Sequence, residues 1–311
     1  MNELTIEHYQ RLNSSFKFEL VFHMGADAGF YSEFNNMVLA IIYCLQNKVK
    51  FSMYSSDANF KYKNGWEDFF VPFCDEKTDL FHHKYNLRYE DPFFLFHGFE
   101  RLKILYWRMC NKYTFLTSDL FFKFRNVEFE RKCFSIPELG FAGNLQEVGG
   151  HVIDLVYRFN DETKYSISSM IDKLNLPDRY VGFHIRGGDK FVEHELEQCA
   201  TYIAKAEKMS KTRVAFVFTD DYVIIETLQH DYPQWKIYTL TTPNERGYFH
   251  SEFLQRMPAD KKKDLIKMFS AMEVLRKSEL FIGTFSSNPG MFLGMCMRNA
   301  YGIDYEKWLL W

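Results

Sequence analysis

Residues 180–190 read Y-V-G-F-H-I-R-G-G-D-K, a run that few folds accommodate. Its first half, with Val181, Phe183 and Ile185, consists of β-forming residues with little polar interruption. Such a run is typical of a strand that is buried on both faces of a parallel sheet. Parallel strands need long, usually helical, crossover connections. The stretch therefore predicts an α/β fold.

Polar residues follow this strand at once, beginning with Arg186, Gly187 and Gly188. Ligands of open α/β sheets bind just beyond the carboxyl ends of the strands. An arginine fork there suits a bidentate contact with phosphate, and the glycines allow the backbone to turn sharply beside a ligand. The sequence indicates that Arg186 binds a diphosphate. The alternative is an exposed arginine in a surface salt bridge.

Two later strands of the same half also end in polar clusters. The β-rich run at 213–218 ends at T-D-D (219–221), and the strand at 280–282 leads into T-F-S-S-N (284–288). The carboxyl ends of parallel strands lie along one edge of a sheet, so we expect the three clusters to share one site.

The first half begins with a strand–loop–helix–strand pattern. A strand at 16–23 precedes a loop that contains Gly25 and Gly29. Ser32 suits a helix N-cap, and a second strand follows at 50–54. A helix N-terminus after such a loop can receive an anion through its free N–H groups. The alternative is an ordinary tight turn.

A chain of 311 residues favours two domains. We predict an N-terminal Rossmann-like lobe at 1–176, a C-terminal Rossmann-like lobe at 177–297, and a tail at 298–311 that packs back on the protein. The predicted fold class is α/β, with two Rossmann-like lobes facing each other across a cleft.

Charge and composition argue against several classes of protein. The net charge of -3 is unsuited to a general nucleic-acid binder. Aromatic and basic residues interleave at 79–131, and we interpret them as helical core with a solvated basic face rather than as a single-strand binding surface. The six cysteines show no zinc spacing, so no metal site is predicted, and we expect them to be buried and reduced.

The sequence contains no stretch suited to a membrane span. The longest apolar run, 37–45, is far shorter than the roughly 20 residues required, and the first ten residues are polar and acidic rather than a signal peptide. We expect a cytoplasmic protein with no integral membrane segment; peripheral membrane contact stays open.

The motifs together resemble those of the α-1,6-fucosyltransferase family, which includes nodulation and core fucosyltransferases, and more distantly the protein O-fucosyltransferases. The resemblance covers roughly 18–298. Five motifs follow one another in the same order as in the family: the glycine loop and helix (25–45), G-W-E-D-F-F-V-P (65–72), H-I-R-G-G-D-K (184–190), T-D-D and T-F-S-S. Each motif is short, and it is their order that makes the match specific.

The resemblance implies a two-lobed, GT-B-like fold and an inverting, metal-independent glycosyltransferase. It would move fucose from GDP-fucose to a hydroxyl of a glycan or glycolipid acceptor, without a cofactor. The first lobe would be the acceptor side and the second the nucleotide-sugar side. Arg186 would stabilise the departing GDP, His184 would contact guanine or ribose, and Asp221 would help to order the nucleotide site. The other residues assigned to donor binding are Gly25, Gly29, Asp189, Lys190, Ser286 and Ser287.

The sequence departs from the family in two places. The α-1,6 members usually carry a second arginine where Gly187 stands, whereas a glycine there is closer to the O-fucosyltransferase pattern. The linkage to the acceptor therefore stays open between the α-1,6 and α-1,2 types. A family aspartate expected to contact guanine falls at Ala271, and Glu273 lies two positions along, on another helix face.

Inverting transfer requires a base beside the acceptor hydroxyl. The family has a glutamate a few residues after the Asp-Lys pair, and here that neighbourhood is Glu193-His194-Glu195. We predict Glu193 as the base. His194, which aligns directly with the family position, is the alternative, because its ordinary pKa lies near neutrality. A solvated acidic helix start would explain the same residues.

Two other functions fit the same fold. One is transfer from a different GDP-sugar, and the other is glycan or nucleotide binding without catalysis. The sequence argues against a dinucleotide dehydrogenase, because no G-x-G-x-x-G motif follows a strand.

Overall fold

The computed structural model describes residues 6–187, 199–305 and 307–308. It divides into two compact units, Met1–Asn160 (unit 1) and Asp161–Trp311 (unit 2). The division falls before the boundary at 176/177 that the sequence suggests, because helix α9 (Asp161–Asp172) packs against helix α13 (Pro258–Lys277) of unit 2.

Unit 1 is built on a four-stranded parallel sheet in the order β3-β2-β1-β4. Its strands are β1 (Phe18–His23), β2 (Val49–Tyr54), β3 (Asp75–Glu76) and β4 (Thr114–Leu116). A short antiparallel hairpin of β5 (Phe134–Ile136) and β6 (Phe141–Gly143) lies apart from that sheet. The parallel pairing of β1 and β2 confirms the predicted βαβ unit.

The helices of unit 1 differ widely in length. They are α1 (Ile6–Ser14), α2 (Phe30–Gln46), α3 (Leu80–Tyr85), α4 (Pro92–Leu95), α5 (Gly98–Cys110), α6 (Thr117–Phe124), α7 (Val127–Glu130) and α8 (Leu145–Val156), with 3₁₀ turns at Trp66–Asp68 and Pro137–Leu139.

Helix α2 connects β1 and β2 and is buried almost all round, as its apolar composition requires. It begins at Phe30 with Gly29 as N-cap, so the N-cap predicted at Ser32 is wrong. Helix α8 begins in a stretch that contains several glycines. There Asn144 and Glu147 form a capping box, which outweighs the nearby glycines.

The G-W-E-D motif of unit 1 is a structural turn. Trp66 is fully buried and stacks on Phe70, with ring centroids 4.2 Å apart. The carboxylate of Asp68 accepts N–H groups from Tyr62, Lys63, Asn64 and Gly65. Burial opposes ionisation of Asp68, but these four donors together lower its pKa below the ordinary value.

Unit 2 is a five-stranded parallel sheet in the order β11-β10-β7-β8-β9. Its strands are β7 (Val181–Ile185), β8 (Val214–Thr219), β9 (Lys236–Tyr238), β10 (Leu280–Gly283) and β11 (Ala300–Gly302). The further helices described are α10 (Cys199–Met209), α11 (Tyr222–Asp231), α12 (His250–Gln255) and α14 (Asn288–Cys296).

Strand β7 is central and all five of its residues are buried, as the sequence predicts. On one face, Phe183 and Ile185 join a core with Tyr202, Ile225 and Trp235. The α/β fold class is thus confirmed, because both units are parallel sheets with helical connections.

The cysteines only partly follow the sequence prediction. All six have free thiols, but Cys110 and Cys133 are exposed rather than buried. In the ranges that the structure describes, no helix is both long enough and apolar enough to pass through a lipid bilayer.

Candidate functional site

The topological switch point of the unit 2 sheet lies between β7 and β10. From β7 the chain builds outward through β8 and β9, then returns to place β10 and β11 on the other side. The crevice outside the carboxyl ends of two such strands is where ligands of open α/β sheets bind. Arg186 and Gly187 follow β7, and Thr284–Ser287 follow β10, so both predicted clusters lie at this point.

Arg186 is held by a carboxylate that the sequence analysis did not select. Its Nε lies 3.2 Å from Oδ2 of Asp220, with the side chains 22% and 15% exposed. The other oxygen, Oδ1, accepts the N–H of Gly187 at 2.6 Å. Asp220 therefore fixes both the side chain and the backbone that follow β7. The sequence could have indicated Asp220, because it belongs to the T-D-D motif and directly follows the end of β8.

The aromatic ring of Tyr248 also lies near Arg186. The Cζ atom of Arg186 is 5.9 Å from the ring centroid of Tyr248, at the outer limit of a cation–π contact. Tyr248 comes from the connection between β9 and α12 and is not among the predicted site residues. An arginine oriented by a carboxylate and flanked by a ring is suited to a bound anion.

Asp221, the predicted residue of the T-D-D cluster, is the N-cap of α11. Its Oδ1 accepts the N–H of Val223 at 3.0 Å. Its backbone also bridges to Arg246. The contacts of Asp221 in this structure are thus those of a cap, and its part in nucleotide ordering stays a prediction.

Gly187 stands where its backbone approaches the T-D-D cluster closely. A Cβ at this position would lie 2.9 Å from Cβ of Asp221 and 3.4 Å from Oδ1 of Asp220. A second arginine, as in the α-1,6 members, would need these residues to move. The departure at Gly187 therefore has a packing reason.

The loop after β10 is organised by a second carboxylate. Asp304, two residues beyond β11, accepts the N–H of Phe285 on Oδ1 and the N–H of Ser286 on Oδ2, both at 2.8 Å. Two consecutive N–H groups that converge on one carboxylate form an anion-binding nest. Here the protein supplies that anion itself. Asp304 was not selected from the sequence.

Ser287 is the N-cap of α14 and is buried. Its hydroxyl donates to the carbonyl of Thr284 at 2.8 Å and accepts the N–H of Gly290 at 3.2 Å. The position expected for a phosphate ligand is thus a helix N-terminus, where N–H groups and the helix dipole favour negative charge.

His184 and Ala271 are buried, whereas Glu273 is partly exposed. His184 is 2% exposed on β7, and its ring stacks on Phe218 with centroids 5.2 Å apart. Ala271 is fully buried in α13, whereas Glu273 pairs with Arg276 at 3.0 Å. Their roles toward guanine stay predictions.

Several predicted residues lie outside the described part of the chain. These are Asp189, Lys190, Glu193, His194 and Glu195. Glu193 therefore stays the predicted base, with His194 as the alternative.

Unit 1 has its own polar edge, at the carboxyl ends of β1 and β2. His23 ends β1, and its Nε2 lies 2.9 Å from Oδ2 of Asp57, while its Nδ1 contacts the carbonyl of Asn86 at 2.6 Å. Burial lowers the pKa of His23 in spite of the neighbouring carboxylate. The Nδ1 of His83 lies 2.8 Å from Oδ1 of Asp57, so one carboxylate joins two imidazoles.

The two predicted glycines of unit 1 differ. A Cβ on Gly25 would lie 2.3 Å from Nε2 of His23 and 3.0 Å from Cβ of Asp57, so this glycine makes room for that pair. Gly29, the N-cap of α2, has open space around it and uses no side chain as a cap. The anion site at the α2 N-terminus stays a prediction.

A carboxyl group with a shifted pKa ends β3. Burial raises the pKa of Glu76 to about 7, although the N–H of Ser55 donates to its Oε1 at 2.6 Å and opposes the shift. In the described ranges, no three His, Cys, Asp or Glu side chains converge as a metal site requires. Metal independence stays a prediction.

The comparisons with known proteins find similarity in structure only. No protein-family model matches the chain, and no curated protein resembles it in sequence. The structure of NodZ α-1,6-fucosyltransferase soaked with GDP-fucose matches with a TM-score of 0.55 and 11% identity, covering 90% of this chain and 93% of that one. Fucosyltransferase NodZ from Bradyrhizobium gives 0.53 and 11%, covering 91% and 92%. POFUT1 in complex with GDP gives 0.49 and 11%, covering 91% and 96%.

The similarity to NodZ concerns the fold. It confirms the predicted GT-B class. The solved structures that match in fold are fucosyltransferases, the same kind of protein that the sequence motifs resemble.

Proposed function

We propose that the protein is a glycosyltransferase that moves fucose from GDP-fucose to a hydroxyl of a carbohydrate acceptor. The observation that carries the proposal is Arg186 at the switch point of the unit 2 sheet, oriented by Asp220. The similarity to NodZ, which was soaked with GDP-fucose, supports the choice of donor.

In the proposed reaction, the bond between the anomeric carbon and the β-phosphate oxygen breaks as the acceptor hydroxyl attacks from the opposite face. Negative charge builds up on the departing GDP, and the Arg186 guanidinium neutralises it. The N-terminus of α14, beginning after Ser287, adds its dipole. Attack from the opposite face inverts the anomeric configuration.

The acceptor hydroxyl must lose its proton to a base. We propose Glu193 for this role, with His194 as the alternative. A further imidazole–carboxylate pair, Asp57–His83, lies at the unit 1 sheet edge, and the His83 side chain is 62% exposed. Glu193→Gln, His194→Gln and His83→Gln separate the three positions. Only loss of the base removes the acidic limb of the pH–rate profile, along which the rate rises as the base loses its proton.

The test is to incubate the protein with GDP-fucose and measure GDP release with and without candidate glycan acceptors. We expect Arg186→Ala to lower turnover by at least about 10²-fold while the fold stays intact. The matched control is Arg179→Ala, because Arg179 is 80% exposed and pairs with Glu279 in a surface salt bridge. Full activity of Arg186→Ala would contradict the assigned role.

Thermal-shift measurements across GDP-sugars decide the donor. Stabilisation by GDP-fucose above GDP-mannose supports the proposal, and the reverse order favours another GDP-sugar. Binding of GDP without turnover on any acceptor would indicate a nucleotide-binding protein of the same fold.

A further inference from the structure

Helix α5 of unit 1 carries its apolar residues on the outside. Only Ile104 of its thirteen residues is buried. Phe99, Leu102, Tyr106 and Met109 are 61% to 77% exposed, and their spacing of three and four residues places them on one stripe. A surface helix normally shows the opposite pattern, with its apolar stripe facing the core.

The exposed stripe lies in a part of the chain that is rich in exposed apolar residues. Of the nineteen exposed large apolar residues in the described ranges, twelve lie between Leu80 and Val127. They include Phe94, which is 73% exposed and lies in α4, just ahead of α5. Scattered exposed apolar residues are ordinary, whereas a concentration of this kind indicates a surface that another body covers.

The same part of the chain is basic, unlike the rest. Residues 80–132, named here the apolar-basic segment, contain ten Lys and Arg against six Asp and Glu, although the whole chain has 38 against 41. Beside α5 the positive charge is only partly balanced, because Lys84 of α3 and Lys103 of α5 share the carboxylate of Glu100 at 2.9 Å and 3.3 Å. Both lysines are nearly half exposed.

We propose that the apolar-basic segment docks on an anionic lipid surface. An interfacial helix combines a face of Phe, Leu and similar residues with lysines and arginines, so that apolar side chains enter the headgroup region while the basic groups meet lipid phosphates. The charge also argues against a second copy of this chain as the occupant. A symmetric contact would bring two surfaces of the same net positive charge together.

The proposal goes beyond the proposed function and does not depend on it, because the test needs no donor or acceptor. The intact chain is mixed with phosphatidylcholine vesicles, with and without phosphatidylserine, and the vesicle-bound fraction is measured by flotation. We expect binding to the phosphatidylserine vesicles that weakens as salt rises, and little binding to phosphatidylcholine alone.

The double variant Leu102→Ser with Met109→Ser should reduce vesicle binding at least about tenfold, because it removes two apolar side chains from the stripe. The matched control is Tyr165→Ser, which changes a residue that is 78% exposed in α9 of unit 2. It should bind vesicles like the wild type. Thermal melts check that all variants stay folded, as expected for exposed positions.

Two results would overturn the proposal. One is wild-type protein that stays unbound at low salt in the presence of phosphatidylserine vesicles. The other is a wild-type dimer in light scattering that the Leu102→Ser/Met109→Ser variant converts to monomer, since the stripe would then be covered by a second copy.

Discussion

The carboxylate of Asp220 lies between the Nε of Arg186, at 3.2 Å from Oδ2, and the N–H of Gly187, at 2.6 Å from Oδ1. One side chain from the end of β8 thus positions the two residues that follow β7. The arginine proposed to bind diphosphate is therefore set in place before a ligand arrives, which reduces the entropic cost of ordering it on binding.

Replacing Asp220 by Asn should weaken the site without unfolding the protein. The amide oxygen can still accept the N–H of Gly187, but the negative charge beside Arg186 is lost. We expect about a tenfold drop in kcat/KM for GDP-fucose, measured as GDP release. Asp178→Asn, at an exposed position, is the control. Equal losses in both variants would contradict a positioning role that belongs to Asp220.

Replacing Gly187 by Ala should destabilise unit 2. The added Cβ would lie 2.9 Å from Cβ of Asp221, so the ends of β7 and β8 must separate. We expect the free energy of unfolding to fall by about 1–3 kcal/mol, measured by denaturant titration. Gly29→Ala adds a methyl group into open space and should cost less. A Gly187→Ala protein as stable as the wild type would show that the two strand ends can move apart freely.

Replacing Asp304 by Ala should loosen the loop after β10. The N–H groups of Phe285 and Ser286 would lose their shared acceptor, and unfilled donors at partly buried positions cost about 1–3 kcal/mol. We expect lower thermal stability and weaker binding of GDP, which calorimetry measures. Asp178→Ala, at an exposed position, is the control. Unchanged GDP affinity would separate this loop from the donor site.

Glu76 should make the protein less stable as pH rises. Its pKa is raised from the ordinary 4.5 to about 7 in the folded state, so the folded protein holds a proton that the unfolded chain releases. Stability from this group is present below pH 4.5 and is lost as pH approaches about 7.

Glu76→Gln removes this dependence and keeps an oxygen to accept the N–H of Ser55. Relative to the wild type, the variant should gain stability between pH 4.5 and 7 by an amount on the order of 3 kcal/mol, seen in denaturant titrations at several pH values. Glu138→Gln, at an exposed position, should show no such gain. A difference that stays constant across this pH range would mean that Glu76 ionises normally.

The sequence by itself determined the fold class and the neighbourhood of the site. The apolar run of β7 can be satisfied only by burial on both faces, and parallel strands bring their carboxyl ends to one edge, so Arg186 and Ser287 were predictable as members of one cluster. The strand–loop–helix–strand pattern likewise predicted the βαβ unit, although the N-cap of α2 was placed three positions late.

Only the tertiary structure decided which carboxylates act on that cluster. Asp220 and Asp221 are adjacent and chemically identical, yet the end of β8 directs one toward Arg186 and makes the other a helix cap. Asp304 reaches Phe285 and Ser286 because β11 pairs with β10. The apolar stripe of α5 points outward because the helix face that carries Ile104 is the buried one. Local patterns fix which residues form strands and helices, whereas pairing and burial between distant segments fix what each side chain meets.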